Sequence, residues 1–465
     1  MIQYKRLNIL CFYLLFSGSI CIAEEVIFHS SDEAVAFALQ NSKRYYLEKQ
    51  NVLQNMKAAK MSIQNFLPVF DFSFSETDST NLLSSDSRTK NIQANVTQEL
   101  FSGGKRKLEY DMNQISALYS YYDYEISERN FSSAVTSQYY QYLIQVESVK
   151  IKMDMLNTAR VQLEIMEKEV ALGMTLQTDY IEYHISYINM ENEHTQSVRD
   201  LKNMERKFKA AVELSEQAEL IIEDKIYSEA EYFYYEPHIT YIWDLVKEES
   251  NELRKQDLSV EYSKKQLNYG RRWYIPTISI QGGISFSGRS YPLTEPKYSA
   301  KLILSFLNNK LFPVSISGGY GLDRDRLYNI NNSSNVTIMP QPVYGITHNI
   351  ENIAILKTNI ERSNAEKELK DMVYDTIISH DNSLRNANTA ERTIGLLEKR
   401  IEFSAKELKN GRITHIDHLE KQLRLSETKL NSVQYRIQAA NIERNLEILT
   451  GMPFGGLRNL IAEND

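Results

Sequence analysis

The 465 residues carry 53 basic and 61 acidic side chains, a formal charge of −8, with 42% hydrophobic residues. General nucleic-acid binding is not expected of an acidic chain, whereas a sizeable core is within reach. The only cysteines are Cys11 and Cys21; both sit in a leader, so disulfides and thiol chemistry are excluded from the remainder.

Residues 1–23 pair a basic start at Lys5 and Arg6 with an apolar run from Leu7 to Ile20 and a small-residue end at Ala23. That pattern predicts a secretory signal peptide cleaved after Ala23, since the run is too short to anchor a bilayer helix. Lipid attachment at Cys21 is left open, although Ile20 fits the requirement poorly. Removing Lys5 and Arg6 leaves 51 basic against 61 acidic residues, a net charge of −10. No later stretch approaches 18 consecutive apolar residues. A membrane-spanning part must then be a barrel, because only helices and closed barrels satisfy their backbone groups in hydrocarbon.

Ser30-Ser31-Asp32-Glu33 predicts the cap of a helix that reaches Phe66-Leu67-Pro68, and a second helix from near Tyr241 reaches Tyr274-Ile275-Pro276. Pro68 and Pro276 end these helices, since proline lacks an amide proton and restricts the preceding residue. Strict alternation follows each proline. Phe70, Phe72 and Phe74 oppose Asp71, Ser73 and Ser75; Ile278, Ile280, Ile284 and Phe286 oppose Ser279, Gln281, Ser285 and Ser287. Period two predicts strands with different solvents on their two faces. Return strands are expected at Ile92, Ala94 and Val96, and at Leu302, Leu304 and Phe306. Phe66, Phe101, Trp273, Tyr274 and Phe312 then supply an aromatic girdle at the base.

Gly103-Gly104 does not match a phosphate loop and reads as a strand-to-helix corner. From there to Gly173 the chain has neither glycine nor proline; a helix of that length spans about 100 Å at about 1.5 Å per residue. Its apolar seam at Leu156, Ala159, Leu163, Met166 and Val170 is answered by Val198, Leu201, Met204, Phe208 and Ala211. Later, Ile394, Leu397, Ile401, Ala405 and Leu408 face Leu419, Leu423, Ser426, Leu430, Val433, Ile437 and Ala440. Alternating spacings of three and four mark paired, coiled helices.

The two helical hairpins are copies of one unit. At a constant offset of 238, Glu169, Gly173, Asp179 and Glu182 recur as Glu407, Gly411, Asp417 and Glu420, and Asn203-Met204-Glu205-Arg206 as Asn441-Ile442-Glu443-Arg444. Gly173 and Gly411 are expected to be the turns. The domain reading is a signal peptide at 1–23, a first repeat at 24–235 and a second at 236–465 with an extra β-hairpin around 310–340. Residues 214–240 read as a linker or small side element, and the tail past Pro453 shows no pattern.

No nucleophile elbow, Walker motif or HExxH occurs, and no cofactor or metal is expected. His415 and His418, three apart beside Asp417 and Glu420, have a spacing that a metal can use but read as a polar turn. The chain reads as a conduit and not an enzyme.

The ordered set occurring twice resembles the TolC-like outer-membrane efflux proteins: helix, Leu-Pro or Ile-Pro, strand hairpin, Leu-Phe-x-Gly-Gly, long helix, glycine turn with Asp179 and Glu182 or Asp417 and Glu420, and return helix. The resemblance covers roughly residues 30–453. It implies a mainly α fold with a transmembrane β-barrel part, as a homotrimeric α/β-barrel channel in outer-membrane lipid with a periplasmic helical extension. It implies a periplasmic adaptor and an inner-membrane transporter as partners, for drug efflux or type I protein secretion. It also places Asp417, Glu420, Asp179 and Glu182 at the periplasmic tip as a gate, with Arg412 as their basic partner.

One departure concerns the second hairpin. Residues 306–312 look like a turn, followed by alternation at Val314-Ser315-Ile316-Ser317, a polar loop from Asp323 to Asn335, a strand at 336–338 and a helix from near Thr347. Six strands per chain would give a barrel of 18, unless the extra pair folds outside a barrel of 12. The alternative to a channel is a secreted coiled-coil scaffold or adaptor without a pore.

Overall fold

The computed structural model describes residues 25–79, 87–222, 233–293, 296–306, 314–322, 328–336, 344–453 and 455–462. The leader with its two cysteines, Phe312 and the expected strand end at 337–338 lie outside them. Chain contacts define two compact units. The first comprises residues up to Lys43, Arg129–Ile242 and from Val373 onward; the second comprises Arg44–Glu128 and Trp243–Met372. Each sequence repeat contributes to both.

In chain order the first copy begins with strand β1 (Glu25–Phe28), helix α1 (Ser31–Asn41) and helix α2 (Lys43–Met61). Ser30 caps α1 by accepting from Glu33 N at 3.3 Å, and the Glu33 carboxylate accepts from His29 N at 2.8 Å. Those reciprocal bonds satisfy two amide groups that a helix start leaves unpaired. A 3-10 turn at Ser62–Phe66 leads to Pro68, then to strands β2 (Val69–Ser79) and β3 (Ser87–Phe101). Helix α3 (Lys105–Ala171) runs unbroken for 67 residues, and α4 (Gln177–Ala211) returns.

The joining segment holds strand β4 (Glu219–Ile222), parallel to β1 with Glu25 opposite Glu219 and Phe28 opposite Ile222. Of the two readings of this stretch, linker or small side element, Glu219–Ile222 is the second, a sheet strand. Four residues bound to a partner nearly 200 positions away leave no local signal. Helices α5 (Ile239–Glu249) and α6 (Asn251–Arg271) repeat α1 and α2, with breaks at Ser42 and Ser250. Strands β5 (Thr277–Gly288), β6 (Pro296–Ser305), β7 (Val314–Leu322) and β8 (Tyr328–Val336) follow, then helices α7 (Tyr344–Lys409), α8 (His415–Thr450) and α9 (Gly456–Ala462).

In the second unit the sheet order is β2-β3-β5-β6-β7-β8, antiparallel throughout. The extra hairpin thus continues the same sheet. The expected polar loop is corrected: Tyr328–Val336 is a strand, held by a ladder that pairs Val314 with Val336 and Leu322 with Tyr328. Asparagine and serine disfavour strands locally, and a paired neighbour overrides that preference. Helix α7 starts at Tyr344, ahead of the expected Thr347.

At the corner after β3 a register shift between Glu99 and Phe101 sets Phe101 opposite Ile278. That extra residue moves Phe101 to the apolar face, which plain alternation would deny it. Gly103 and Gly104 take φ of +63° and +75°, and the Arg272 guanidinium donates to Gly103 O. A Cβ on Gly103 would overlap the Ile275 side chain. The glycine pair is a strand-to-helix corner, as the sequence indicates.

In the first unit Phe28, Tyr139, Tyr142 and Phe208 pack as one aromatic cluster; Phe208 lies 5.9 Å from Tyr139 and stacks at 6.1 Å on Tyr142. Ile437 and Ala440 from the expected seams are buried in the same cluster, whereas Ala159 and Met166 are buried in a second one with Tyr183, Met190 and Leu419. Tight helix approach at alanine and a filled aromatic centre provide the apolar burial that holds such long helices together.

Candidate functional site

Within the first unit the helical hairpins end in two matching turns. Gly173 and Gly411 take φ of +72° and +67°. Met174 N donates to Glu169 O at 2.8 Å and Gly173 N to Val170 O at 3.0 Å; Arg412 N donates to Glu407 O at 3.0 Å and Gly411 N to Leu408 O at 2.9 Å. Both are helix ends closed through a left-handed residue. No atom lies within 4 Å of a Cβ built on either glycine, so backbone conformation alone calls for glycine.

The helices leaving the turns start differently. Thr414 Oγ1 accepts from Asp417 N at 3.1 Å, and Asp417 Oδ2 accepts from Thr414 N at 3.0 Å and from its hydroxyl at 2.8 Å. Those two donors hold the Asp417 carboxyl below its ordinary range. Leu176 occupies the matching cap position in the first copy and offers no side-chain bond. Asp417 is thus engaged as a helix cap, and Arg412 does not latch it in the single chain. Arg412, Glu420 and Glu182 are exposed and Asp179 is half-buried, and among the described residues no side-chain hydrogen bond or ion pair engages any of them.

The histidines instead bind elsewhere. His415 Nε2 meets Glu169 Oε2 at 2.8 Å and its Nδ1 meets Gln162 Nε2 at 2.6 Å, joining the second turn to the helix end before the first. Thr175 donates to the same Glu169 oxygen at 2.9 Å. His418 is buried, with Nδ1 at 2.7 Å from Ser404 Oγ. Burial, then the charges of Lys421 and His415, push its pKa down. The two imidazoles face different partners, and no group of metal-binding side chains occurs among the described residues. Sequence reasoning missed the His415–Glu169 pair because it joins unlike positions of the two repeats.

A second difference separates the turns. Leu172, Met174 and Leu176 are 74%, 75% and 68% exposed, where the second copy has Asn410, Arg412 and Thr414. One turn is apolar and the other polar.

Behind the turns, a buried polar network ties the segment between the repeats to the helices. Asp381 accepts from Tyr235 N at 3.0 Å and Glu236 N at 2.7 Å and lies 2.9 Å from His380 Nδ1. Burial raises the Asp381 pKa, but His380 and the two amides outweigh it and hold the carboxyl low. Tyr235 OH donates to Glu443 at 2.6 Å, and Arg458 of α9 reaches both Glu443 oxygens at 2.8 Å. The tail that shows no sequence pattern is therefore anchored by charge, with Leu457 and Ile461 buried beside it.

Glu447, fully buried next to this network, is pushed up from an ordinary 4.5 to about 7 by burial and then by the Glu443 charge, against Arg444 and Gly455 N. A folded pKa above the unfolded one means that the folded state binds the proton more readily. Its contribution is complete below pH 4.5 and disappears as pH rises to about 7. Above that, ionised Glu447 costs about 3 kcal/mol, at about 1.4 kcal/mol per unit. Glu447→Gln is expected to raise the melting temperature at pH 8.5 and to converge on the parent towards pH 5. Equal differences at both pH values would contradict the assignment.

The sheet of the second unit separates two chemistries. Cross-strand rows align Phe72, Ala94, Ile284, Tyr298 and Leu322, and Phe74, Ile92, Phe286 and Pro296, on one face. Phe70 and Phe72 are 75% and 76% exposed. On the other face Asp71, Asn95, Gly283 and Ser299 share one row, and Ser73, Gln93 and Ser285 the next. Charge appears on the apolar face only at its far rim, where Arg88 pairs with Glu76 at 2.6 Å and Asp78 at 3.1 Å, and Lys90 with Glu76 at 3.1 Å. An uncharged band bounded by charges fits hydrocarbon bounded by water. No helix among the described residues is long and apolar enough to cross a membrane.

Residues 38–212, within the first copy, match the outer membrane efflux protein family. Among curated protein sequences none matches. The Campylobacter jejuni CmeC outer membrane channel superposes with a TM-score of 0.70 at 13% identity, over 93% of this chain and 89% of that one. The outer membrane protein VceC from Vibrio cholerae gives 0.70 at 11% identity, over 91% and 96%. CusC, whose structures concern folding and transmembrane channel formation, gives 0.70 at 12%, over 91% and 92%. The repeated helix, strand hairpin and helical hairpin are thus one known architecture. Residues 38–212 are similar to the outer membrane efflux protein family, and the chain has the fold of the CmeC, VceC and CusC outer-membrane channels.

Proposed function

We propose that this chain is the outer-membrane exit channel of a tripartite export assembly, acting as a homotrimer with a periplasmic helical extension and catalysing no reaction. The observation that carries this reading is the two-faced sheet, with Phe70, Phe72, Phe74, Ile280 and Ile284 in a band whose charges lie at its far rim and serine, asparagine and glutamine behind it. A secreted scaffold would leave that aromatic face in water, where it favours aggregation. A bilayer removes the conflict.

In this reading the helical turns meet a periplasmic adaptor, and the adaptor links the channel to an inner-membrane transporter. Exposed Leu172, Met174 and Leu176 supply an apolar contact, and Glu420, Asp179 and Glu182 supply carboxylates around the entrance. Exported cargo is a small molecule or a secreted protein. Purified trimers in a planar bilayer should conduct weakly, favour cations and be blocked by a multivalent cation added from the turn side. Glu420→Ala with Asp179→Ala should relieve that block. Absence of any conductance from a stable trimer would count against the channel.

The turn glycines give a second test. A side chain at positive φ costs about 1–2 kcal/mol per residue, and β-branching adds to it. Gly173→Val with Gly411→Val should therefore distort the turns while trimers still reach the outer membrane. Ethidium retained in cells is expected to rise severalfold, or a type I cargo to remain inside. Unchanged export from the double variant would remove the turns from the docking role.

A further inference from the structure

The extra hairpin is built into the sheet. Strand β6 is paired on both sides, to β5 from Thr277–Ser305 to Phe286–Pro296 and to β7 from Tyr298–Leu322 to Ser305–Ser315. Gly319 fits this pairing closely: a Cβ there would stand 2.7 Å from Lys301 Cγ and 2.9 Å from Ala300 O. Ser317 and Ser333 share a hydrogen bond of 2.7 Å across β7 and β8. Peeling this hairpin away would break the whole β6–β7 ladder, from Tyr298–Leu322 to Ser305–Ser315.

Among the described residues the free edges of the sheet are therefore β2 and β8, of 11 and 9 residues. Each presents a row of unpaired amides and carbonyls, which hydrocarbon does not tolerate. A second copy of this chain offers the complementary edge, with a strand of similar length and the same alternation of faces.

Resting on the channel reading, we propose that β8 of one copy pairs with β2 of the next, closing a barrel of eighteen strands whose bore passes bulky hydrophilic solutes. Three copies of a six-stranded sheet supply the number. Barrel diameter grows roughly linearly with strand number, so the bore is about 1.5 times that of a barrel built from four strands per chain. The inward rows are short and mostly neutral: Ser73, Asn95, Gly283, Ser299, Ser317 and Gly319 leave the bore unfilled.

Cysteine cross-linking tests the closure, because the chain lacks cysteine beyond its leader. Full-length proteins carrying one cysteine on β2, at Asp71, Ser73 or Ser75, and one on β8, at Ser333 or Asn335, are oxidised in outer membranes. Disulfide-linked dimers and trimers on a denaturing gel are expected from at least one pairing. Cross-links that form instead between Ser73→Cys and Ser299→Cys of β6 would place β6 at the junction and overturn the eighteen-strand barrel while leaving a channel. Conducting trimers without any β2–β8 cross-link would overturn it as well. A chain that neither forms trimers nor conducts would instead refute the channel reading beneath it. As a second readout, graded polyethylene glycols applied from the barrel side should enter the full-length pore up to a radius about 1.5 times that accepted after deletion of 306–336. An unchanged cut-off in a deletion variant that still forms trimers would also overturn the proposal.

Discussion

Phe72→Arg and Ile280→Arg are each expected to abolish assembly into the outer membrane, whereas Ser73→Arg and Gln281→Arg, one residue along the same strands, should insert normally. Phe72 aligns with Ala94, Ile284 and Tyr298 near the middle of the apolar face, and Phe72 itself is 76% exposed in the single chain. A basic side chain at bilayer mid-depth costs about 2–4 kcal/mol, and a homotrimer incurs it three times. That total rivals the net stability of an ordinary folded domain, about 5–15 kcal/mol. Ser73 and Gln281 belong to the opposite rows, where water solvates the added charge. The measurement is the heat-modifiable trimer band in an outer-membrane fraction. Loss of the band in both sets, or in neither, would mean that the two faces do not meet different solvents.

Asp381→Ala should produce the second large effect, in the first unit. Its carboxylate is 1% exposed and receives the backbone amides of Tyr235 and Glu236 together with His380. Removing it leaves buried donors without an acceptor, and breaking a buried charged network costs about 3–5 kcal/mol. The segment between the repeats should then detach from α7, taking with it the Tyr235 hydroxyl that Glu443 accepts. Chymotrypsin is expected to cut the folded variant at Phe233–Tyr235 at least tenfold faster than the parent. Asp381→Asn, which keeps one acceptor oxygen, should lie between the two. A cleavage rate equal to the parent's in Asp381→Ala would show that other contacts hold the segment.

The histidine pair illustrates how little a local pattern says about long-range partners. Three-residue spacing puts His415 and His418 within reach of one ion, yet each ring already serves a neighbour, Glu169 in one case and Ser404 in the other. Asp417 is a parallel case. Position on the same turn as Arg412 suggests a charged latch, whereas in the single chain the Asp417 carboxylate accepts from the amide and hydroxyl of Thr414. Such a capping bond satisfies a helix-start amide that has no partner within the helix.

Periodicity by itself determined the long helices, the glycine turns at Gly173 and Gly411, the proline-terminated helices at Pro68 and Pro276, and the two-faced strands after them. Each is set by local geometry: a repeat of 3.5 or 2, a missing amide proton, or freedom to take positive φ. Tertiary structure alone decided the β1–β4 pair, the strand at Tyr328–Val336, the anchoring of α9 through Arg458, and the joining of His415 to Glu169. In those cases the stabilising partner lies far along the chain and the local sequence is neutral or unfavourable, so the choice is made by packing and pairing across the fold.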